Sequence, residues 1–310
     1  MPLYRTYVSF DWALKHILRD KANFCVLEGF LSELLHEDIT ILELIESEAN
    51  QEHARDKFNR VDLMVKTGQE ERIIIEVQYD HQIDYFQRMN YGTAKVLTEN
   101  MESGNAYGTV KRIISVNIVY FDLGKGEDYI YYGRTVFDGI HRHDRLQLSD
   151  KQREVYACKE IGQIFPEYYL IKVKSFADIT TDTLDEWVYF LRHSDILPEF
   201  KAKGLHEARQ RLALLQMSRK ERAQYDAYIE DLRFQNSASW SHLELGRDEG
   251  RKQARQEMAK EIAQAKAKAK AANAKVKAAD AKAKAATEKA LAALLAAGIP
   301  EELARKTLGL

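Results

Sequence analysis

The chain has 310 residues, 45% of them apolar and 10% aromatic, enough for one large domain with appendages or for two domains. Lys and Arg total 46 against 48 Asp and Glu, a net charge of -2, so the chain as a whole is not the polycation that a purely electrostatic nucleic-acid binder presents. Its two cysteines, Cys25 and Cys158, lack metal-ligand spacing, and its longest apolar run, ALAALLAAGI, is about half of the ~20 residues that span a bilayer, which together predict a soluble cytoplasmic protein with reduced thiols and no membrane partner.

Residues 9–20 place Phe10, Leu14, Ile17 and Leu18 at helical spacing behind Ser9 as N-cap. Residues 24–36 give a second helical pattern, and ILELI (41–45) is a short strand or a short helix. The stretch FNRVDLMVKTGQEERIIIEVQY predicts a hairpin: strand 58–66, a turn at Thr67-Gly68-Gln69, and strand 72–79. A long helix is expected over 82–102. Strands are expected at 112–121, 127–136 and 168–176, and helices from Thr181 to about 233. These boundaries predict a first domain over 1–235, a polar hinge or helix start over 236–253 and an Ala/Lys-rich helical tail over 254–310. The blocks AANAKVK, AADAKAK and AATEKAL repeat every seven residues in that tail, and 251–290 carries 12 Lys or Arg against 4 Asp or Glu. With Ala filling most of the seam, a coiled coil there is weak; a solvated spacer, homo-oligomerisation and attraction to phosphate are the three uses open to it. The chain ends in a helix, a Gly-Ile-Pro break and a short final helix.

The segment RIIIEVQYD (72–80) is the anomaly. Its apolar run reads as a buried strand, yet Glu76 and Gln78 leave the same face near its end. A buried carboxylate needs a partner. A hairpin turning near Gly68 brings Asp62 to the level of Glu76, and two adjacent carboxylates stay ionised together only with a cation between them. Oxygen donors suit Mg²⁺ or Mn²⁺, with the carbonyl of Val77 as a further ligand, and such an ion serves phosphodiester hydrolysis. The structural alternative is a salt bridge from Glu76 to Arg60 or Arg88. Glu28 and Glu33 are weaker candidates as extra ligands. His141 and His143 share a spacing but lack a third ligand, and a surface loop accounts for them better.

The order Asp62, thirteen residues, Glu76, one residue, Gln78, then a helix, resembles the PD-(D/E)XK nuclease superfamily. More narrowly the chain resembles the Rpn / YhgA-like group of PD-(D/E)XK nuclease family transposases. FDWALKHIL with Asp11 and Lys15, GFLSELL, NRVDLMV with IIIEVQ, QRMNYGTA with Arg88 and Tyr91, and VKSF with WVYFLRHSD carry that likeness over about residues 5–235. It implies an α/β, restriction-endonuclease-like mixed central sheet flanked by helices, followed here by the long helical tail. It also implies a Mg²⁺-dependent DNA endonuclease with a role in recombination or mobile DNA. Asp62 and Glu76 would bind the metal and Gln78 would orient the attacking water. Gln78 stands where the superfamily pattern has Lys, which removes a cation; Lys15, Arg88 or Lys95 are candidates to replace it, and Arg88 and Tyr91 to contact phosphate or brace the site. The alternative is a degenerate nuclease fold that binds DNA or oligomerises without cutting.

Overall fold

The computed structural model describes residues 6–45, 62–99 and 111–310, which divide into two compact units, one running to Phe234 and one spanning Gln235–Leu310. The first unit is built on six strands: β1 (Ile41–Leu44), β2 (Leu63–Thr67), β3 (Arg72–Gln78), β4 (Ile113–Val119), β5 (Ile130–Gly133) and β6 (Glu167–Lys172). They form one sheet in the order β1-β2-β3-β4-β6-β5. The pairs β3–β4 and β4–β6 are parallel, and the other three pairs are antiparallel. This is the mixed sheet with flanking helices that the resemblance implies. β4 is buried at all seven positions, as a strand covered on both faces must be.

The hairpin joining β2 and β3 is a three-residue loop over 68–70. The Thr67 N–H donates to the Glu71 carbonyl at 3.1 Å and the Glu70 N–H to the Thr67 carbonyl at 2.9 Å. The residue with positive φ is Glu70 (63°), so the loop, one residue later than the expected turn over 67–69, is a turn followed by a left-handed residue. Lys66 at 3.6 Å and Lys111 at 3.5 Å hold the Glu70 carboxylate. ILELI resolves as a strand, and the predicted residues 58–61 lie outside the described residues.

Side-chain alternation along β3 divides the molecule into two layers. Ile73, Ile75 and Val77 face the main core, which they share with α1 (Phe10–His16), α2 (Phe24–Leu35), α5 (Thr183–His193) and α6 (Leu205–Arg211). Full burial of Ile73 and of Ile75 is worth roughly 1.5–3 kcal/mol each. Gly29 of α2 meets Gly204 at the start of α6 so closely that a Cβ on Gly29 would collide with that backbone. Ile74, Glu76 and Gln78 face the opposite way. That face is covered by α3 (Tyr85–Glu99), whose Val96 packs on Met64, Ile74 and Ile113 and whose Tyr85 and Met89 pack on Val119, Phe121 and Leu170. Glu76 therefore lies under α3, between two apolar clusters.

The short helix α4 (Asp150–Tyr156) follows β5 and was not evident in the sequence; a capping box at Ser149 and Gln152 starts it. α7 (Arg219–Ala296) runs through 236–253, the stretch read as a hinge or a helix start. Its first turns belong to the first unit: Tyr225 is buried, and its hydroxyl accepts the Ser9 N–H at 3.1 Å. In the second unit α7 ends in a Schellman motif. Gly298, at φ 83°, donates to the Leu295 carbonyl and Ile299 to that of Leu294, and Pro300 leads into α8 (Glu301–Thr307).

Candidate active site

The β2–β3 ladder ends at the pair Leu63–Ile75, one step short of Asp62 and Glu76. At that next level the two side chains would share the close spacing of a non-hydrogen-bonded pair. Asp62 instead leaves the strand in a bend, and its Oδ2 accepts the Val77 N–H at 2.8 Å. The N–H and C=O of a strand residue point to the same edge. The carbonyl of Val77 is thereby turned toward the edge where Asp62 sits. Two cations of α1 and its exit border this acid: Lys15 Nζ lies 3.8 Å from Asp62 Oδ1, and Arg19 donates to the Asp62 carbonyl at 2.9 Å.

Glu76 is 4% exposed. Arg88 of α3 is its cationic neighbour, Nε to Oε2 at 3.5 Å, but among the described residues neither atom makes a hydrogen bond. Burial pushes the Glu76 carboxyl up to about 7; Arg88 opposes this and the negative charge of Asp62 adds to it. Arg88 directs its terminal nitrogen to Gln78 Oε1 at 3.4 Å and to Gln82 Oε1 at 3.2 Å, and Gln78 Nε2 donates to the Asp80 carbonyl at 3.5 Å. The Gln78 amide is thus oriented from both ends. Beneath Glu76, its β4 neighbour Asn117 accepts the Tyr85 hydroxyl at 3.2 Å and donates to Ser115.

Asp11 is buried on the other side of the sheet. Its Oδ1 accepts the Tyr79 hydroxyl at 3.0 Å, its Oδ2 has no hydrogen-bond partner among the described residues, and burial raises its pKa. Tyr79 stacks on Tyr120 at 4.2 Å, and burial raises its pKa well above the usual phenol range.

The fold therefore brings Asp62, Glu76, Val77, Gln78, Lys15 and Arg88 together. Several other candidates are employed elsewhere. Glu28 accepts the Ile41 N–H at 2.8 Å, and Glu33 accepts the Thr183 hydroxyl and the Lys203 N–H, so both acids fasten neighbouring segments. Lys95 pairs with Glu99 along α3 at 3.6 Å. Tyr91 is exposed, and among the described residues no hydrogen bond ties it to the cluster. His141 and His143 lie on an exposed loop. Arg60 lies outside the described residues.

Three participants are not singled out by sequence patterning. Asn117 carries a signal, an amide inside the apolar run RIISVNIVYF, the same kind of anomaly as Glu76. Tyr79 and Gln82 carry none, because their partners Asp11 and Arg88 are supplied by other elements.

Among the described residues no three His, Cys, Asp or Glu side chains are grouped to hold a metal ion. The set that is present still fits a hard divalent cation. An orphaned buried oxygen on Glu76, the adjacent Asp62 carboxylate and a backbone carbonyl are all oxygen donors, and Mg²⁺ commonly takes one or two carboxylates and completes its shell with water and substrate phosphate. A family model described as PD-(D/E)XK nuclease family transposase matches residues 8–239. No curated protein and no solved structure matches the chain.

Proposed function

Because the chain belongs to the PD-(D/E)XK nuclease family transposases, a nuclease-type family, we propose that it is a metal-dependent endonuclease that hydrolyses DNA phosphodiesters, in the cytoplasm and in recombination or mobility of DNA. The observation that carries this reading is the buried Glu76 Oε2, which has no hydrogen-bond partner among the described residues, beside Asp62. An acid this deeply buried costs several kcal/mol unless something offsets it, and the cation beside it, Arg88, spends its hydrogen bonds on Gln78 and Gln82 and stands 3.5 Å away without bonding to the acid.

Asp62 and Glu76, with the Val77 carbonyl, would hold Mg²⁺ or Mn²⁺, which when bound polarises a phosphoryl oxygen and lowers the pKa of a coordinated water. Gln78 accepts from or donates to the attacking water and fixes it in line with the leaving oxygen. Arg88 keeps that amide in place through its 3.4 Å bond. Lys15, 41% exposed beside Asp62, supplies the positive charge that the superfamily lysine would place at position 78. Asp11 and Tyr79 brace the far side of the β3 terminus.

Plasmid cleavage with Mg²⁺ or Mn²⁺, comparing wild type with Asp62→Ala and Glu76→Ala, tests this reading. Wild type is expected to cut, and each variant to lose more than about a hundredfold, beyond the ~10–100-fold typical of groups that only orient ligands. A wild-type protein that never cuts, or variants that cut equally well, would leave a degenerate nuclease fold that binds without cutting. One feature favours that alternative: Lys15 and Arg88 already stand beside the two acids.

We also propose that the tail assembles copies of the chain. Met258, Ile262 and Val276 are exposed and, at spacings of four and fourteen residues, occupy one side of α7. Truncation at about residue 245 should lower the oligomeric state in a sizing measurement; an unchanged state removes this role.

A further inference from the structure

A cleft of about 360 Å³ opens on the α3 face of the sheet, between α3 and the pair β5–β6. Phe86, Met89, Asn90, Tyr131, Tyr168 and Leu170 line it. Nothing in the nuclease chemistry described above uses it. Its position is fixed by the register: Glu76 pairs with Asn117, Asn117 with Leu170, and Leu170 with Tyr131. The cleft floor thus lies in the same row of the sheet as Glu76, three strands away. At ~4.8 Å per strand that is roughly 14 Å.

The walls are aromatic and already held in place. The Tyr131 hydroxyl accepts the Asp128 N–H at 3.0 Å, and Lys172 Nζ lies 5.6 Å from the centre of its ring. Gly126 makes room for that hydroxyl, since a Cβ there would collide with it. Tyr168 shares a 2.8 Å hydrogen bond with the Thr93 hydroxyl. Fixed rings lose little entropy when a flat ligand stacks on them. Phe86 stands at the rim, 51% exposed, and Asn90, one turn further along the helix, brings a side-chain amide, a donor and an acceptor together.

α3 itself links the two places. Arg88 projects from one flank toward Glu76 and Gln78, while Phe86 and Asn90 project from the other, as helical spacing requires. We propose that this cleft is a nucleobase subsite. It stacks one base of the substrate strand, a few nucleotides from the scissile phosphate, on Phe86 and the fixed tyrosines, with the Asn90 amide on the base edge. A base has the flat π-face that the walls fit and the polar edge that the amide needs. Such a subsite selects a strand whose base is free to leave its stack, so single-stranded or locally opened DNA is the preferred substrate. This inference rests on the nuclease reading for the identity of the strand.

The test uses the full chain carrying Glu76→Gln, to prevent cleavage, and a short single-stranded oligodeoxynucleotide. Adding Phe86→Ala should weaken binding about tenfold, from the ~1–3 kcal/mol of one base–aromatic stack, and Phe86→Trp should restore it. Gly126→Ala, which displaces Tyr131, should weaken binding in the same sense. In an abasic scan of the oligonucleotide, one position should cost the parent about tenfold and cost the Phe86→Ala protein nothing. The subsite is overturned if no abasic position matters, or if Phe86→Ala remains sensitive to the same one; either result is also what a cleft for an apolar protein side chain would give. Wild-type cleavage, assayed separately, distinguishes the two readings. A protein that cuts without an abasic effect loses only the subsite, and one that shows the effect without ever cutting loses only the catalytic role.

Discussion

Two buried acids stand at opposite ends of the same sheet, Glu167 at the start of β6 and Glu76 near the end of β3. Glu167 is closed on every side. Arg112 donates to its two oxygens at 2.6 and 3.1 Å, and the Tyr132 hydroxyl adds a third bond at 2.6 Å. The same guanidinium reaches Glu71 at 3.1 Å and Glu37 at 3.3 Å. Glu76 is nearly as buried, yet its arginine stands at 3.5 Å without hydrogen-bonding to it, and burial pushes the acid up to about 7. A buried carboxylate with all of its bonds made is a structural fastener. One left open, beside a second acid, is where the proposed metal ion would complete the set of partners.

The largest expected effect tests the closed end. Glu167→Gln should destabilise the fold by about 1.5–3 kcal/mol, read from urea unfolding, because it removes the charged hydrogen-bond acceptor closest to Arg112 and leaves that guanidinium only Glu71 and Glu37. Cleavage per folded molecule should be unchanged. The matching change at the open end, Glu76→Gln, should abolish cleavage while leaving metal-free stability equal or higher, since no hydrogen bond to Oε2 is lost. Equal destabilisation by the two substitutions would erase the distinction between them.

Asp11→Asn gives a smaller effect with a defined pH dependence. Burial raises the folded-state pKa of Asp11, so wild-type stability is lost as pH rises from the unfolded value, near 4, through the folded one. Thermal melts of Asp11→Asn should therefore lie above wild type at pH 8 and converge with it toward pH 4. A constant offset across that range would mean that the charge of Asp11 is not what strains the site. The smallest effect is expected for Lys15→Ala. At 3.8 Å from Asp62 and 41% exposed, Lys15 should contribute less than about 1 kcal/mol to stability, while a loss of cleavage well beyond that would mark it as the substitute for the missing lysine at position 78.

Much of this contrast is legible in the chain. The hairpin declares itself through two apolar runs flanking Gly68, and Glu76 through its place in one of them, because a period of two fixes which face each side chain takes. Asp62 can be set opposite Glu76 by counting from the turn. The Arg112 hub is invisible, since its carboxylates come from residues 37, 71 and 167. Asp11 with Tyr79, and Arg88 with Gln78 and Gln82, are equally hidden as pairs.

By itself, then, the sequence determined the local periodicities, the helical tail, and which two acids and one amide belong to one strand face or its neighbour. Those properties depend on residues near one another along the chain or across a short turn. The tertiary structure alone decided which acids are closed and which remain open. It assigned Glu28 and Glu33 to fastening neighbouring segments, set Arg88 against Glu76 without bonding it, and opened an aromatic cleft in the same row of the sheet. The reason is physical: the cost of a buried charge is set by the few ångströms around it, and those neighbours arrive from distant parts of the chain.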